Sequence, residues 1–314
     1  MSNLAVRVLV AVVGIPLIIA LTMAGDFWFV CFVLLVSSLA LFEFYRLAEG
    51  KGMAPQVGTG MVFGLFVTLT FFHGRLQMLL LAFLHARGMS APLPSMSQTV
   101  LILSLVFLPL LLLFELFRNR PGALGNFSTT VAGVGYVSLF FGTLIGLREL
   151  FIPGDFPISA YFPVHGPDVP DAVVQTVYGW GGMTVLSLFV AIWVCDSAAY
   201  FAGRAWGRHK LFPRVSPNKT WEGAIAGFVA AVAVFLVARA LVLPYLTPVG
   251  ALVCGVIVGV FGQLGDLVES LLKRDAGVKD SSNLIPGHGG VLDRFDSLLF
   301  VAPLIFVYLD FIVF

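Results

Sequence analysis

Charge is scarce in this chain: Asp, Glu, Lys and Arg together make up 11% of its 314 residues, less than half of the roughly 25% found in an ordinary soluble domain. Cysteine is scarcer still. Cys31, Cys195 and Cys254 are odd in number, sit inside apolar runs and lack metal-ligand spacing, so they read as small packing residues. Internal repeats and low-complexity tracts are missing as well. The apolar run 8–24 follows a lone Arg7, exceeds a signal-peptide core in length and shows no small-x-small cleavage site, so it reads as a retained first span. A net charge of +1 says nothing by itself about nucleic acid, and no nucleic-acid partner is expected.

What remains is apolar: 59% of residues are hydrophobic and the mean hydropathy is +0.99. Several runs reach the roughly 20 residues that a bilayer-spanning helix needs. The expected fold class is all-α, a polytopic integral membrane helical bundle of about nine transmembrane helices. Their expected positions are 4–23, 27–47, 58–72, 98–117, 128–147, 181–202, 223–243, 249–272 and from Ser297 onward. Gly25 and Asp26 alone separate the first two, which predicts a tight helical hairpin. The apolar piece 76–84 is too short to cross and is expected at the interface. Pro153, Pro157, Pro163, Pro167 and Pro170, with Asp155, Asp168 and Asp171, mark 152–178 as an extramembrane loop. Three regions follow: N-terminal helices over 1–127, the fifth helix with its proline-rich extracytoplasmic loop over 128–180, and a chemistry-bearing region over 181–314.

On this nine-span reading the 18 lysines and arginines divide unequally, with Arg75, Arg87, Arg148 and Arg239 on one side and the other fourteen opposite. The positive-inside rule makes the richer side cytoplasmic, with the N-terminus in and the C-terminus out. Asp196, the loop around Lys219 and the segment 265–296 then share the face on which nucleoside triphosphates are found.

That last segment departs from the composition of everything around it. Within 265–296, Asp266, Asp280, Asp293 and Asp296 offer hard oxygen ligands for divalent cations, and Lys273, Arg274, Lys279, His288 and Arg294 offer donors for phosphates. A phosphate compound handled with a metal is the chemistry this mixture suits. Asp266, Ser270 and Lys273 fall at i, i+4 and i+7, on one helix face. A carboxylate within an apolar span defaults to a functional reading, the plain alternative being an ion pair with a cation such as Lys273. Three glycines lie in Pro286-Gly287-His288-Gly289-Gly290, a loop that can bring backbone N–H groups close to an anion or simply turn tightly. Asp293 and Asp296, three apart, can face Asp266 as a cage for one or two cations, or serve as helix caps. His288 suits phosphate donation better than proton shuttling.

Upstream, Asp196 lies near the end of the sixth span, where Ala198, Ala202 and Gly203 permit close helix approach; it can orient the site or pair a buried cation. In Ser216-Pro217-Asn218-Lys219-Thr220-Trp221, Lys219 and Thr220 stand at a helix start as anion donors. A basic belt attracting anionic lipid, with Trp221 as an interfacial anchor, is the plainer reading of the same residues.

These blocks resemble the phosphatidate cytidylyltransferases, or CDP-diacylglycerol synthases. The shared C-terminal pattern is carried by Ser270, Lys273, Arg274, Lys279, Asp280, His288, Gly289, Gly290, Asp293, Arg294 and Asp296, and the Ser216–Trp221 and Asp196–Tyr200 stretches are similar to the family's upstream blocks, with Ala198 where glycine is common. The resemblance implies transfer of CMP from CTP to phosphatidate, giving CDP-diacylglycerol and pyrophosphate. It places metal binding, Mg²⁺ with room for a second cation, on Asp266, Asp293 and Asp296. Lys219, Arg274 and Lys279 would then hold phosphates, and Arg294 the acids or pyrophosphate. Implied partners are CTP, phosphatidate and the lipid bilayer, with a homodimer left open. The expected setting is the bacterial inner (plasma) membrane, with the active site facing the cytoplasm. Rival readings are a polyprenol kinase, a CDP-archaeol synthase, or a lipid or phosphate transporter.

Overall fold

A computed structural model describes residues 3–151, 158, 161–162 and 169–314. Among these residues, nine helical runs are long and apolar enough to cross a membrane. The chain is an all-α, polytopic integral membrane protein. Its outward side chains fit that setting: along α5 (Met96–Arg118) Leu105, Leu112, Leu116 and Phe117 are all exposed, a belt suited to hydrocarbon. Most of the proline-rich loop, including Pro153, Pro157, Pro163, Pro167, Asp155 and Asp168, lies outside the described residues.

Contacts divide the chain into two compact units, Met1–Phe29 with Leu147–Phe314, and Val30–Gly146. In the second unit lie most of α2 (Asp26–Gly50), then α3 (Val57–Leu69), α4 (His73–Ala86), α5, α6 (Ala123–Gly133) and most of α7 (Leu139–Glu149), whose residues from Leu147 on belong to the first. Phe107, Leu111 and Val134 form its core, with Phe63, Val67, Phe127 and Val131 packed on them. Buried Glu115 accepts from Gln56 (2.9 Å), Asn126 (2.7 Å) and Arg118 (3.0 Å), which satisfies a carboxylate in an apolar setting. The sequence predicted a break after residue 72. Instead a single 3₁₀ turn, Thr70–Phe72, joins α3 to α4 in one run, Val57–Ala86, because Gly74 alone is too weak a breaker to stop an otherwise helical sequence.

The first unit carries α1 (Asn3–Ala24), α8 (Asp171–Trp206), the strands β1 (Lys210–Phe212) and β2 (Ser216–Thr220), α9 (Trp221–Leu241), α10 (Pro248–Ile257), α11 (Gln263–Asp275) and α12 (Leu292–Tyr308). The chain turns between α1 and α2 as expected, with Gly25 and Asp26 both at positive φ (63° and 48°). Arg148 is almost wholly buried, and its guanidinium satisfies the carbonyls of Thr22 (2.9 Å) and Tyr178 (3.2 Å) while lying 4.2 Å from the Tyr178 ring. A buried cation is thereby matched to the open carbonyl end of α1.

Two differences from the sequence reading, and one run that it expected over 249–272, shape the site. Helix α8 begins at Asp171 rather than near 181, so 171–178 is helix and not loop; Pro170 sits just before its first turn, where proline is tolerated. The segment ahead of α9 is a two-stranded antiparallel hairpin, Lys210 opposite Thr220 and Phe212 opposite Ser216. Helices α10 and α11 join through a π turn at Val258–Gly262 into a single run, Pro248–Asp275.

Small residues set the spacing. A Cβ at Gly223 would meet the Ala199 carbonyl at 2.6 Å, and one at Gly227 the Cys195 carbonyl at 2.9 Å, so α8 and α9 touch backbone to backbone. A Cβ at Gly265 would meet the Asp296 carbonyl at 2.7 Å, which brings α11 and α12 together where their acids lie.

Candidate active site

Local folding first places Lys219. Thr220 caps α9, its Oγ1 accepting the Gly223 N–H at 3.3 Å, and Glu222 in the first turn accepts from the His209 ring at 2.6 Å. This staples the hairpin to the helix start and fixes the strand that bears Lys219. From there the Lys219 ammonium reaches Asp266 on α11 at 2.6 Å. Ser270 Oγ donates to the other Asp266 oxygen at 3.3 Å, the i, i+4 contact that the spacing predicts.

Asp266 is therefore ion-paired to Lys219 and not to Lys273. Lys273 turns toward α12 instead. Its ammonium pairs with Glu269, one helical turn earlier on α11, and with Asp293 at 2.6 Å. Glu269 is fully buried and is the group that the sequence reading missed. Its signal was present: a glutamate four residues before a lysine on an apolar helix is the favoured order for such a pair.

Asp293 organises the glycine loop. One of its oxygens accepts Lys273; the other accepts the Ser281 N–H (2.9 Å), the Ser281 hydroxyl (3.0 Å) and the Gly290 N–H (2.7 Å). The loop closes on itself through Ile285 N–H to the Gly289 carbonyl at 2.9 Å. Gly289 has φ 80°, and a Cβ there would meet Asp293 Oδ2 at 2.6 Å, so no other residue fits without strain. Asp280 packs against Gly289, its Cβ 3.4 Å from where a Gly289 Cβ would be. Arg294 Nε donates to the His288 carbonyl at 2.7 Å, and the buried His288 Nδ1 has no hydrogen-bond partner. An unpaired ring nitrogen in such a loop is a ready contact for a ligand.

Asp296 accepts the Ser297 N–H at 2.6 Å and has no ion pair among the described residues. It lies within electrostatic reach of Asp266 and Asp196, and Asp196 in turn senses Asp266, Lys219 and Arg294. Asp196 on α8 and Asp266 on α11 thus share Lys219, while Asp296 on α12 lies near both acids and near Lys273, the lysine that holds Asp293. Among the described residues no three of His, Cys, Asp and Glu converge as a ready-made metal cage. Of the other expected residues, Arg274 donates to the Val278 carbonyl at 2.9 Å and Lys279 is exposed beside Asp280. Ser216 opens β2 opposite Phe212.

Carboxylates and ammonium groups held by backbone-tight helices inside apolar spans, beside a glycine turn with an unpaired imidazole, suit the binding of phosphates together with a cation. One relative is similar over nearly the full length. The chain is 33% identical over 306 residues to a phosphatidate cytidylyltransferase of Synechocystis, covering 96% of this chain and 95% of that one. Shorter matches reach 51% over 123 residues with the protein of that name in Bacillus subtilis (38% of this chain, 45% of the other) and 49% over 132 residues with that of Brucella suis (41% and 47%). Residues 5–312 match the family described as the cytidylyltransferase family, and this chain belongs to it.

Proposed function

We propose that the chain transfers the cytidylyl group of CTP to phosphatidate, releasing pyrophosphate and forming CDP-diacylglycerol for phospholipid synthesis. The observation that carries the proposal is the grouping of Asp196, Lys219, Asp266 and Asp296 beside the His288 turn. A relative of that name, similar along nearly the whole chain, supports it.

A phosphate oxygen of phosphatidate attacks the α-phosphorus of CTP, and the bond to the β-phosphate oxygen breaks as pyrophosphate leaves. The nucleophile needs no base, since the second ionisation of a phosphate monoester lies near pH 6. Lys219 and the imidazole of His288 donate to phosphate oxygens, and Arg274, Lys279 and Arg294 line the exposed approach. Asp293 holds the turn in shape through the Ser281 and Gly290 N–H groups.

The acids fit Mg²⁺. Asp266 and Asp293 each already carry an ammonium, and Asp296 is a carboxylate without a cation, so positive charge is what the cluster lacks. Asp266 and Asp296 would hold the ion and Asp293 would join on release of Lys273; phosphate oxygens and water would complete the shell, as Mg²⁺ prefers. When bound, the cation neutralises the charge of the two anionic reactants. The lysine and arginine distribution supports a cytoplasmic N-terminus and active site in the bacterial inner membrane.

Label position tests the reading. With the purified protein in detergent, CTP labelled at the α-phosphate is expected to deliver label into the organic-soluble lipid, and CTP labelled at the γ-phosphate to deliver none. Transfer of γ-label would make the protein a lipid kinase instead.

A further inference from the structure

Between Asp196 and Glu222 the chain has no acidic residue, yet it carries Arg204, Arg208, Lys210, Arg214 and Lys219. Lys219 is accounted for by Asp266. Among the described residues Arg204 reaches only the Tyr200 hydroxyl, at 3.3 Å. The side-chain cations of Arg208, Lys210 and Arg214 make no hydrogen bond or ion pair among the described residues, and all three residues are exposed. Around them Trp206 is 72% exposed, Trp221 55% and Phe212 46%.

Connectivity fixes where this surface lies. Helix α8 ends at Trp206 and α9 begins at Trp221, and both are long and apolar enough to span a bilayer. The hairpin between them must therefore sit at the membrane face, on the side where Lys219 meets Asp266. Exposed indoles favour the interfacial layer, and cations just outside it are attracted by anionic headgroups. The pairing is not incidental to a floppy loop: β1 and β2 are hydrogen-bonded, Trp221 N–H donates to the His209 carbonyl at 2.9 Å, and His209 is pinned to Glu222. In β1, Lys210 and Phe212 are two apart and project to the same face, one for the headgroup and one for the acyl boundary.

We propose that the β1–β2 hairpin is a docking surface for anionic lipid headgroups, gathering the lipid substrate at the membrane face beside the Lys219–Asp266 pair. The proposal rests on the cytidylyl-transfer reading for the identity of that substrate, and the test has one arm that does not. In that arm the full-length protein is placed in mixed micelles containing phosphatidylglycerol or phosphatidylcholine brominated near the headgroup end of the chain. Quenching of Trp206 is read as the difference between wild type and Trp206→Phe. Stronger quenching by the anionic lipid, lost in Arg208→Gln/Lys210→Gln/Arg214→Gln and retained in Arg208→Lys/Arg214→Lys, is the expected result. Equal quenching by the two lipids in wild type overturns the proposal whether or not the protein turns over. In the kinetic arm, the triple glutamine variant is expected to raise the KM for phosphatidate roughly five- to tenfold at low salt, with the KM for CTP and kcat unchanged. A rise in the KM for CTP instead would make the hairpin a nucleotide contact and overturn the lipid assignment.

Discussion

Replacing Lys273 by methionine removes the one ammonium that stands between two buried acids. Glu269 is fully buried with Lys273 as its ion-pair partner, and Asp293 receives Lys273 at 2.6 Å. Methionine keeps most of the stem's volume, so the change is mainly electrostatic. Breaking a buried pair by deleting one partner costs about 3–5 kcal/mol. Asp293 retains three donors from Ser281 and Gly290, whereas Glu269 is left without a cation, so most of the loss belongs to Glu269. Neutralising it should restore the balance: Glu269→Gln/Lys273→Met is expected to regain at least half of the loss. At about 2 °C per kcal/mol for a chain of this size, the single variant should melt roughly 6–10 °C below wild type. Midpoints in detergent at one fixed scan rate provide the comparison, because unfolding of such proteins is often irreversible. A Lys273→Met protein as stable as wild type, or a double variant no better than the single, would refute the buried-triad account.

Asp266→Asn should lower turnover by about a hundredfold or more while the protein still elutes as a folded species, since the amide keeps the shape but loses the charge matched to Lys219 and the cation; near-normal turnover would exclude Asp266 from the site. Gly289→Ala forces a side chain to φ 80° against Asp293 Oδ2, and a cost of about 1–3 kcal/mol with a lower kcat is expected, read from melting and from initial rates. Gly223→Val pushes α8 from α9 at the Ala199 carbonyl; loss of stability together with loss of activity is expected, because Lys219 rides on the adjoining strand.

The spans were legible because length and hydropathy alone decide them, and Gly25-Asp26 announced its turn by leaving no room for a longer loop. Thr220, read as an anion donor, turns its hydroxyl to the Gly223 N–H as a cap, but the helix start there and Ser270 beneath Asp266 were legible because both are local. The Lys219–Asp266 pair was not, since the two are far apart in sequence and only the Gly223 and Gly227 contact with α8, and that of α9 with α10, brings the elements together. Pairing Asp266 with Lys273 was the plain alternative on one helix, but Glu269 sits a turn closer and Asp293 faces the same ammonium. The hairpin of β1 and β2 escaped notice because its strands are three and five residues long and contain Pro213 and Pro217 nearby, which read as loop. Helix residues 171–178 were hidden by the prolines before them.

Pyrophosphate release tests the central claim most directly. Purified protein is supplied with CTP, phosphatidate and Mg²⁺, each omitted in turn, and the series is repeated with Asp296→Asn. The account expects release only when all three are present, and none from a folded Asp296→Asn protein. Release without phosphatidate, or undiminished release from the variant, would contradict it.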